Sequence, residues 1–338
     1  MSVERRSGCG TVFVIILLAG SLLVNLIFWN LLQMRKGAGP EMKPPEFPEE
    51  FVAGDADREQ KIVLIRLQGL IAREESGQFS DSMVEDIILQ LRQARDDRRV
   101  KSILLAINSP GGEVDASDVL YHEIEQTRRS KPIVVYMESV AASGGYYAAM
   151  GASYLMANDL SLTGSIGVIL QAFNVKDLLD KIGVKALTLK SGKMKDILNP
   201  TREITPEEQA YVQGLINESY DRFVGIVSRE RHLDLNQLKT HWADGRILSG
   251  SMALQAKLID QVGYFEDAIT KCKELGKVKT ARVVRYIPPF RLSGLVRGLF
   301  GAETRAKASL LAASRLPLVS GRLYYLAPTV FDSGGFLP

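Results

Sequence analysis

The chain has 338 residues, with 42 Lys and Arg against 39 Asp and Glu, three histidines and two cysteines. This length predicts one large domain or two small ones, with enough core to fold without disulfides. The net charge of +3 is small and the basic residues are spread among acidic ones, so no nucleic-acid partner is expected. The two cysteines cannot form a disulfide framework and have no metal-ligand neighbours, so we expect no metal and no cofactor.

The N-terminal region predicts a membrane anchor. No charged residue occurs between Arg6 and Arg35, and Thr11–Leu32 is long enough for the ~20 residues that a spanning helix needs. No small-residue cleavage site follows it, so we expect an uncleaved anchor at residues 11–34 after a short tail at residues 1–10. Charge is balanced across this segment, and the short tail favours a topology with the bulk of the chain outside.

Two further segments flank a globular region at residues 61–287. Residues 35–60 are rich in proline and acidic residues and lack helical or strand periodicity, which predicts a semi-extended tether. Residues 288–338 follow two prolines and are basic and rich in leucine. We expect this C-terminal tail to pack on neighbouring subunits, although an amphipathic stretch of this kind could also lie on a membrane surface.

Strands and helices alternate through the globular region, which predicts an α/β fold with a mostly parallel sheet and helices packed outside it. The expected strands are 61–69, 100–108, 131–137, 154–157 and 184–189, with a further segment at 163–170. The expected helices are 80–97 with Ser80 or Ser82 as N-cap, 114–130, 174–183 and 205–229.

Two loops lie at the carboxyl ends of strands, where active sites are usually found in such sheets. The first is NSPGGEV, which contains Ser109–Gly112, and the second is SVAASGGYY, which contains Ser143. Each has an ordinary structural explanation: a strand-to-helix turn for the first, and a helix N-cap at Ser143 for the second. Together the two loops suggest an active site, in which Ser143 would be a nucleophile and the amides of Gly144 and Gly112 would form a two-donor oxyanion hole.

The base that deprotonates Ser143 could be a histidine, a carboxylate or a neutral lysine. His122, His232 and His241 all lie in polar settings typical of the surface. The lysine-rich loop KSGKMKDILNP, residues 190–200, begins at the end of a predicted strand. A lysine amine accepts a proton only if desolvation lowers its pKa from about 10.4 to near 7.5, and the same loop could equally be a solvated basic turn.

Five motifs in order, NSPGG, SVAASGGYY, LTGSIGV, SGKMKD and DGRILSGSMALQAKLIDQVG, resemble the signal peptide peptidase A family of membrane-anchored serine proteases. The resemblance runs from about Lys61 to Tyr286. It implies a ClpP/crotonase-like fold of repeated strand–strand–helix units behind an N-terminal transmembrane helix. It also implies a Ser/Lys dyad in which Ser143 is the nucleophile, Lys195 is the general base and Ser165 orients that lysine, with Gly112 and Gly144 as oxyanion donors. Lys190 and Lys193 are then expected to be solvated loop residues.

The resemblance also sets expectations for partners and location. Each motif occurs once, as in the short form of the family, which implies a homo-oligomeric ring, expected to be an octamer, with the dyad formed between neighbouring protomers. The implied substrates are cleaved signal peptides and similar apolar peptides. The implied location is the bacterial inner (cytoplasmic) membrane, crossed once, with the catalytic domain on the extracytoplasmic side. Two alternatives remain: a catalytically inactive membrane-bound scaffold of the same fold, and a crotonase-like acyl-CoA enzyme.

Overall fold

The structure, a computed structural model, describes residues 46–73, 83–287 and 322–327 and parts of an N-terminal helix, namely Leu18, Gly20–Leu23, Asn25, Leu26 and Trp29. The chain divides into two compact units, Met1–Glu46 and Phe47–Pro338. The predicted anchor at residues 11–34 falls largely outside the described residues, as do Ser80 and Ser82. Within the described residues, no helix has the length and apolar character needed to cross a membrane.

The second unit alternates strands and helices, as predicted. Its strands are β1 (Glu49–Gly54), β2 (Lys61–Gln68), β3 (Val100–Ser109), β4 (Gly111–Glu113), β5 (Ile133–Ala142), β6 (Tyr154–Ala157), β7 (Leu162–Gly164), β8 (Ile169–Leu170), β9 (Ile247–Ser249), β10 (Gln261–Val262), β11 (Arg282–Tyr286) and β12 (Leu323–Leu326). Its helices are α1 (Met83–Asp96), α2 (Val114–Arg128), α3 (Gly144–Ala149), α4 (Lys176–Lys181), α5 (Pro206–Arg231), α6 (Leu235–His241), α7 (Gly250–Gln255) and α8 (Phe265–Leu275).

The main sheet has the strand order β1-β11-β2-β3-β5-β6-β10, with β7 pairing to both β5 and β9. The pairs from β11 through β10 are parallel, whereas β1 with β11 and β7 with β9 are antiparallel. A second, smaller antiparallel sheet has the order β4-β12-β8. The predicted α/β class with a mostly parallel sheet is therefore confirmed.

Helices cover both faces of the main sheet, which explains why its central strands are apolar without alternation. On β2, Val63, Ile65 and Leu67 face one buried cluster that includes α1, α2 and α3. Ile62 and Leu64 face the opposite cluster, which is closed by α8. Because both faces are covered, the loops at the carboxyl ends of β3 and β5 are held by a rigid core.

Cys272 illustrates this packing on the second face. It belongs to α8, is fully buried, and its Sγ lies 3.7 Å from the carbonyl oxygen of Ile103 on β3. Burial raises the pKa of the Cys272 thiol to about 12. Cys272 therefore occupies the inward face of α8, where it packs against the sheet.

The structure differs from the sequence predictions in three segments. The tether expected at residues 35–60 contains β1, which pairs with β11 and is tied down because the buried Lys61 amine contacts both Glu49 and Asp97. The strand expected at residues 184–189 does not form, and Leu187 and Leu189 there are 85% and 88% exposed. In the C-terminal tail, residues 323–326 pair with β4 and β8 of their own chain, and the packing of the tail on neighbouring subunits stays a prediction.

Candidate active site

The first candidate loop joins β3 to β4 and has two glycines that its surroundings require. A side chain on Gly111, which has φ +107°, would place its Cβ 2.0 Å from the carbonyl oxygen of Tyr325 and 2.7 Å from the amide nitrogen of Gly144. A Cβ on Gly112 would lie 1.9 Å from the carbonyl oxygen of Ile71. Only glycine fits either position, so the turn brings bare backbone close to the second loop.

Ser143 lies at a sharp bend between β5 and α3. Its backbone has φ 52° and ψ −114°, a conformation that costs energy for a residue with a side chain and that recurs at functional sites. The bend is held because the Ser143 N–H donates to Gly164 O at 2.8 Å and the Tyr147 N–H donates to Ser143 O at 2.8 Å. The Ser143 side chain makes no capping hydrogen bond, so the N-cap explanation for this serine is not supported.

The hydroxyl of Ser143 is buried and unpaired. Ser143 is 0% exposed, and its Oγ has no hydrogen-bond partner among the described residues. A buried polar atom without a partner is uncommon because it loses its hydrogen bonds to water without replacement. An unpaired hydroxyl on a strained bend is the arrangement expected of a group that acts on a bound molecule.

The backbone amides of Gly112 and Gly144 lie close to each other next to Ser143 in the chain fold. A Cβ on Gly144 would lie 3.0 Å from the amide nitrogen of Gly112, so the two predicted oxyanion donors belong to one small volume. Gly144 follows Ser143 directly and begins α3. Two N–H groups aimed at one point can stabilise the negative charge that develops on a carbonyl oxygen under attack.

Ser165 follows β7 directly and is 3% exposed. Its backbone has φ 50°, and its N–H donates to Arg246 O at 2.8 Å. Strands β5 and β7 pair with Ala142 opposite Gly164, which places the two serines at the adjacent ends of neighbouring strands. A cleft of about 450 Å³ opens beside Ser165 and is also lined by Val168, Tyr220 and Leu326.

Lys195 is not part of this arrangement within one chain. It is exposed in a series of turns, where its N–H donates to Gly192 O at 3.1 Å, and it is not hydrogen-bonded to Ser143 Oγ. The structure therefore brings Ser143, Ser165, Gly112 and Gly144 together and leaves Lys195 apart from them. His122, His232 and His241 are all exposed, as the sequence indicated.

The Lys195 turn is fixed by charged residues that sequence reasoning missed. The guanidinium of Arg202 donates to the Asp196 carboxylate at 2.8 Å and to Glu208, and Lys190 Nζ reaches Asp196 at 2.5 Å. The hydrogen bond from Arg202 lowers the pKa of Glu208 to about 2 and also lowers the pKa of Asp196. Lys190 and Lys193 are both exposed, as expected of loop residues, and each forms an ion pair, Lys190 with Asp196 and Lys193 with Glu207.

A capping box anchors this network to α5. Thr205 Oγ1 accepts from the Glu208 N–H at 3.2 Å, and the Glu208 carboxylate accepts from the Thr205 N–H at 3.0 Å. The sequence TPEE carries this signature, which predicts the helix start but not that Glu208 would also bind Arg202. The turn that presents Lys195 is therefore attached to the rigid first turn of a long helix.

Comparison with known proteins identifies the family. The model of peptidase family S49 matches residues 125–279, and the Clp protease model matches residues 69–174. A protein of Enterococcus faecium described as signal peptide peptidase SppA is 38% identical over 245 residues, which cover 71% of each chain. The chain belongs to peptidase family S49.

Two further relatives are also described as proteases. A protein of Methanocaldococcus jannaschii described as a protease is 43% identical over 208 residues, 61% of this chain and 64% of that one. Protease 4 of Salmonella typhi is 39% identical over 191 residues, 56% of this chain and 31% of that one. The S49 chain is a serine protease, and the predicted resemblance to the signal peptide peptidase A family is confirmed.

Proposed function

We propose that this S49 chain is a membrane-anchored endopeptidase or oligopeptidase that degrades remnant signal peptides and similar apolar peptides. Ser143 Oγ attacks the scissile carbonyl carbon while Lys195 Nζ takes the hydroxyl proton, and the lysine then gives that proton to the leaving amine. The amides of Gly112 and Gly144 stabilise the oxyanion, and Ser165 orients the amine of Lys195. Water then hydrolyses the acyl-enzyme.

One observation carries this proposal. The Ser143 hydroxyl is buried without a partner at a strained bend, beside two glycine amides that converge on the same volume. Each of these features costs folding free energy, because strain, a lost hydrogen bond and the conformational freedom of glycine all oppose the native state. Covalent catalysis at a carbonyl group needs an accessible nucleophile and donors for the oxyanion, and these features supply candidates for both.

We further propose that the dyad forms between protomers, with Ser143 of one chain served by Lys195 of the next. Three observations support this. Lys195 is exposed, Ser143 Oγ has no partner among the described residues, and the cleft beside Ser165 gives an incoming amine a route. Exposed apolar residues just before the lysine turn are what a neighbouring protomer would cover, namely Phe173, Leu178, Ile182, Val184, Leu187 and Leu189.

A head-to-tail ring completes every such interface by symmetry, so an assembled ring would carry one dyad per interface. An anchor at residues 11–34 would keep this ring beside the bilayer. Apolar peptides that leave the membrane slowly would then meet the enzyme at high local concentration. The ring, the anchor and the extracytoplasmic location of the protease domain are parts of the same proposal.

Labelling with a fluorophosphonate tests the nucleophile directly. We expect the probe to modify the full-length, assembled protein at Ser143, identified by mass spectrometry of the digested chain. Ser143→Ala should remove the label, whereas Ser139→Ala, in the same motif but four residues earlier, should retain it. Absence of labelling in a folded, assembled sample would contradict the proposal and leave the inactive scaffold or the acyl-CoA enzyme.

A further inference from the structure

Ser117 carries a buried hydroxyl that the proposed mechanism does not use. It belongs to α2 and is 0% exposed. Its Oγ donates to the carbonyl oxygen of Glu113, the N-cap residue of the same helix, at 2.8 Å. Glu113 directly follows Gly112 in the chain. This hydrogen bond therefore attaches the helix to the turn that carries one of the two candidate oxyanion amides.

The oxygen of the same hydroxyl lies against Gly144, which carries the second amide. Outside the chain neighbours and the helix of Gly144, the atom nearest to the position of its Cβ would be Ser117 Oγ, at 2.5 Å. The next two are backbone atoms of the turn, the Gly112 nitrogen at 3.0 Å and the Gly111 Cα at 3.1 Å. Ser117 thus supplies a side-chain contact where the Gly112 turn meets the start of α3.

Backbone hydrogen bonds hold the other side of the turn. The Ile71 N–H donates to Gly111 O at 2.9 Å, and the Glu113 N–H donates to Ile71 O at 2.8 Å. The two bonds form a parallel bridge between Ile71 and Gly112. They fix the residues on both sides of Gly112 against the segment that follows β2, and neither bond reaches α3. The contact through Ser117 relates this clamped turn to Gly144.

Helix formation does not explain a serine at this position. The carbonyl of an N-cap residue, here Glu113, already accepts the first hydrogen bond of the helix. Alanine is the better helix former, and a serine hydroxyl that bonds the carbonyl four residues earlier slightly destabilises a helix. The buried neighbours Ala116 and Leu120 on α2 are apolar. The contact of Ser117 with the two amide-bearing segments is what accounts for its hydroxyl.

We propose that Ser117 is a positioning residue of the oxyanion hole, whose hydroxyl holds the amides of Gly112 and Gly144 at the separation that the transition state requires. Its proton fixes the Glu113 carbonyl and with it the turn at Gly112, and its oxygen sets how closely Gly144 approaches. Donors stabilise an oxyanion effectively only if they are in place before charge develops, so a small shift of either lowers the rate. The inference rests on the proposed function, because it takes Ser143 and these two amides as the reacting site.

Ser117→Ala in the full-length, assembled enzyme tests this role. With acetyl-trileucine aminocoumarin amide as an apolar substrate, kcat should fall about 10-fold, which is less than for outright loss of a donor because both amides remain. KM should change little, since Ser117 does not contact the peptide. Ser117→Cys keeps a side-chain atom in the same space but is a weaker donor, so it should recover part of the loss. Equal kcat values for Ser117→Ala and the wild type would overturn the proposal.

Ser102→Ala is the matched control. Ser102 is also 0% exposed, and its Oγ also donates to a backbone carbonyl at 2.8 Å, that of Cys272 on the opposite face of the sheet. The variant removes the same kind of buried hydrogen bond far from the two amides, so its kcat should stay near that of the wild type. Urea denaturation measures the stability of both variants. An equal loss of kcat in Ser102→Ala and Ser117→Ala would assign the effect to general packing and overturn the proposal.

A pair of inhibitors reports on the oxyanion hole separately from peptide binding. Acetyl-trileucine aldehyde bonds Ser143 Oγ through its carbonyl carbon, which places its oxygen at the two amides, whereas the corresponding alcohol forms no bond. In Ser117→Ala the Ki of the aldehyde should rise about 10-fold, in step with the fall in kcat/KM, and the Ki of the alcohol should stay constant. An increase in both Ki values, or in neither, would overturn the positioning role.

Fluorophosphonate labelling of the wild-type enzyme separates failure of this inference from failure of the proposed function. If Ser143 is labelled but Ser117→Ala keeps the wild-type kcat and aldehyde affinity, the role of Ser117 is wrong and the nucleophile stands. If Ser143 is not labelled in folded, assembled enzyme, the reacting site itself is wrong, and the inference about Ser117 fails with it.

Discussion

The serine side and the lysine side of the candidate site are built in opposite ways. Ser143, Gly112 and Gly144 are buried just beyond the ends of β3 and β5, and the Ser143 bend is held by backbone hydrogen bonds. Lys195 lies in an exposed turn that is held by charged side chains, Arg202 and Glu208. The serine side is complete within one chain, whereas the lysine side faces outward. This difference motivates the proposal that chain assembly, rather than chain folding, brings the two halves into contact.

The largest expected effects come from removing one half of the site. Lys195→Arg should lower kcat on the order of 10⁴-fold or more, because arginine keeps its proton in proteins and cannot act as a base. Lys193→Arg, two residues earlier, is the matched control and should retain activity since its ion pair with Glu207 is exposed. Peptide cleavage by the assembled enzymes measures both. Near-normal activity of Lys195→Arg would remove Lys195 from the site.

Mixing two inactive variants tests whether the halves come from different chains. Ser143→Ala and Lys195→Ala protomers, combined in equal amounts under conditions that let rings re-form, should restore activity at about a quarter of interfaces, given symmetric closure without partner preference. Each variant alone is the control. Mixed rings confirmed by mass spectrometry but inactive would place the dyad within one chain and remove the contrast between the two sides.

Gly144→Ala tests the rigidity of the serine side. The added Cβ would lie 2.5 Å from Ser117 Oγ and 3.0 Å from the Gly112 nitrogen, so one oxyanion donor must shift. Loss of such a donor lowers kcat by about 10²–10³-fold, and we expect KM to change less. Steady-state kinetics measure this, with circular dichroism to verify the fold. An unchanged kcat would show that Gly144 does not contact the reacting oxygen.

Arg202→Ala tests the lysine side, where a positioning residue should have a smaller effect. Without Arg202 the Lys195 turn loosens, and kcat should fall on the order of 10-fold because a misplaced base is less efficient. KM should change little, and Arg202→Lys should recover part of the loss. Arg285→Ala, which removes an exposed ion pair with Glu50 at the opposite sheet edge, is the control. Loss of activity with both alanine variants would indicate a general effect on stability.

Arg202→Ala also tests how the stability of the fold depends on pH. Arg202 lowers the pKa values of Glu208 and Asp196, so the stabilisation from these carboxylates is present above about pH 4, where they are also ionised in the unfolded chain. It is lost as pH falls toward the folded value of about 2 for Glu208. The difference in Tm between wild type and Arg202→Ala should therefore be constant from pH 8 to 5 and shrink below pH 4. A constant difference down to pH 2 would contradict this role.

The smallest expected effect concerns α5, the helix that contacts both sides through Phe223 and Glu208. Gly214 lies within this helix, and no atom lies within 4 Å of the Cβ that alanine would add there. Gly214→Ala should raise the free energy of unfolding by about 0.5–1 kcal/mol, because alanine favours the helix and restricts the unfolded chain. Urea denaturation measures it. A lower stability would mean that Gly214 packs against another surface.

The serine side could be predicted from the sequence because its determinants are local. Ser143, Gly144 and Gly112 each belong to a short motif that follows an apolar strand, and α/β order fixes where such motifs meet. Strand β1 was missed because it is formed by pairing with β11, more than 200 residues later, and its own composition resembles a tether. Residues 184–189 have strand periodicity but no partner strand among the described residues of this chain.

The remaining features depend on contacts that leave no sequence pattern. In the sequence, Arg202 is not distinguishable from the other charged residues of a basic loop. Only the folded turn shows that it hydrogen-bonds to both Asp196 and Glu208. An aromatic cluster joins Tyr147 from the serine motif, Phe223 from α5 and Tyr325 from the C-terminal tail, with ring centroids 4.7 to 4.9 Å apart. No local periodicity connects three residues so far apart in the chain. The two tyrosines that follow Gly145 are the one local signal, and the second of them, Tyr147, contacts both other rings.

The reactivity of the buried Cys272 thiol can measure how often the S49 chain opens globally. With its pKa raised to about 12 and its Sγ beneath α8, the thiol can react with a disulfide reagent only after that helix separates from β3. In a Cys9→Ser variant, the rate of thiol exchange therefore measures how often the sheet is uncovered. Peptide ligands that bind at the Ser143 site should slow this exchange by the factor 1 + L/Kd, where L is the free peptide concentration, because they bind the folded domain and not the opened one.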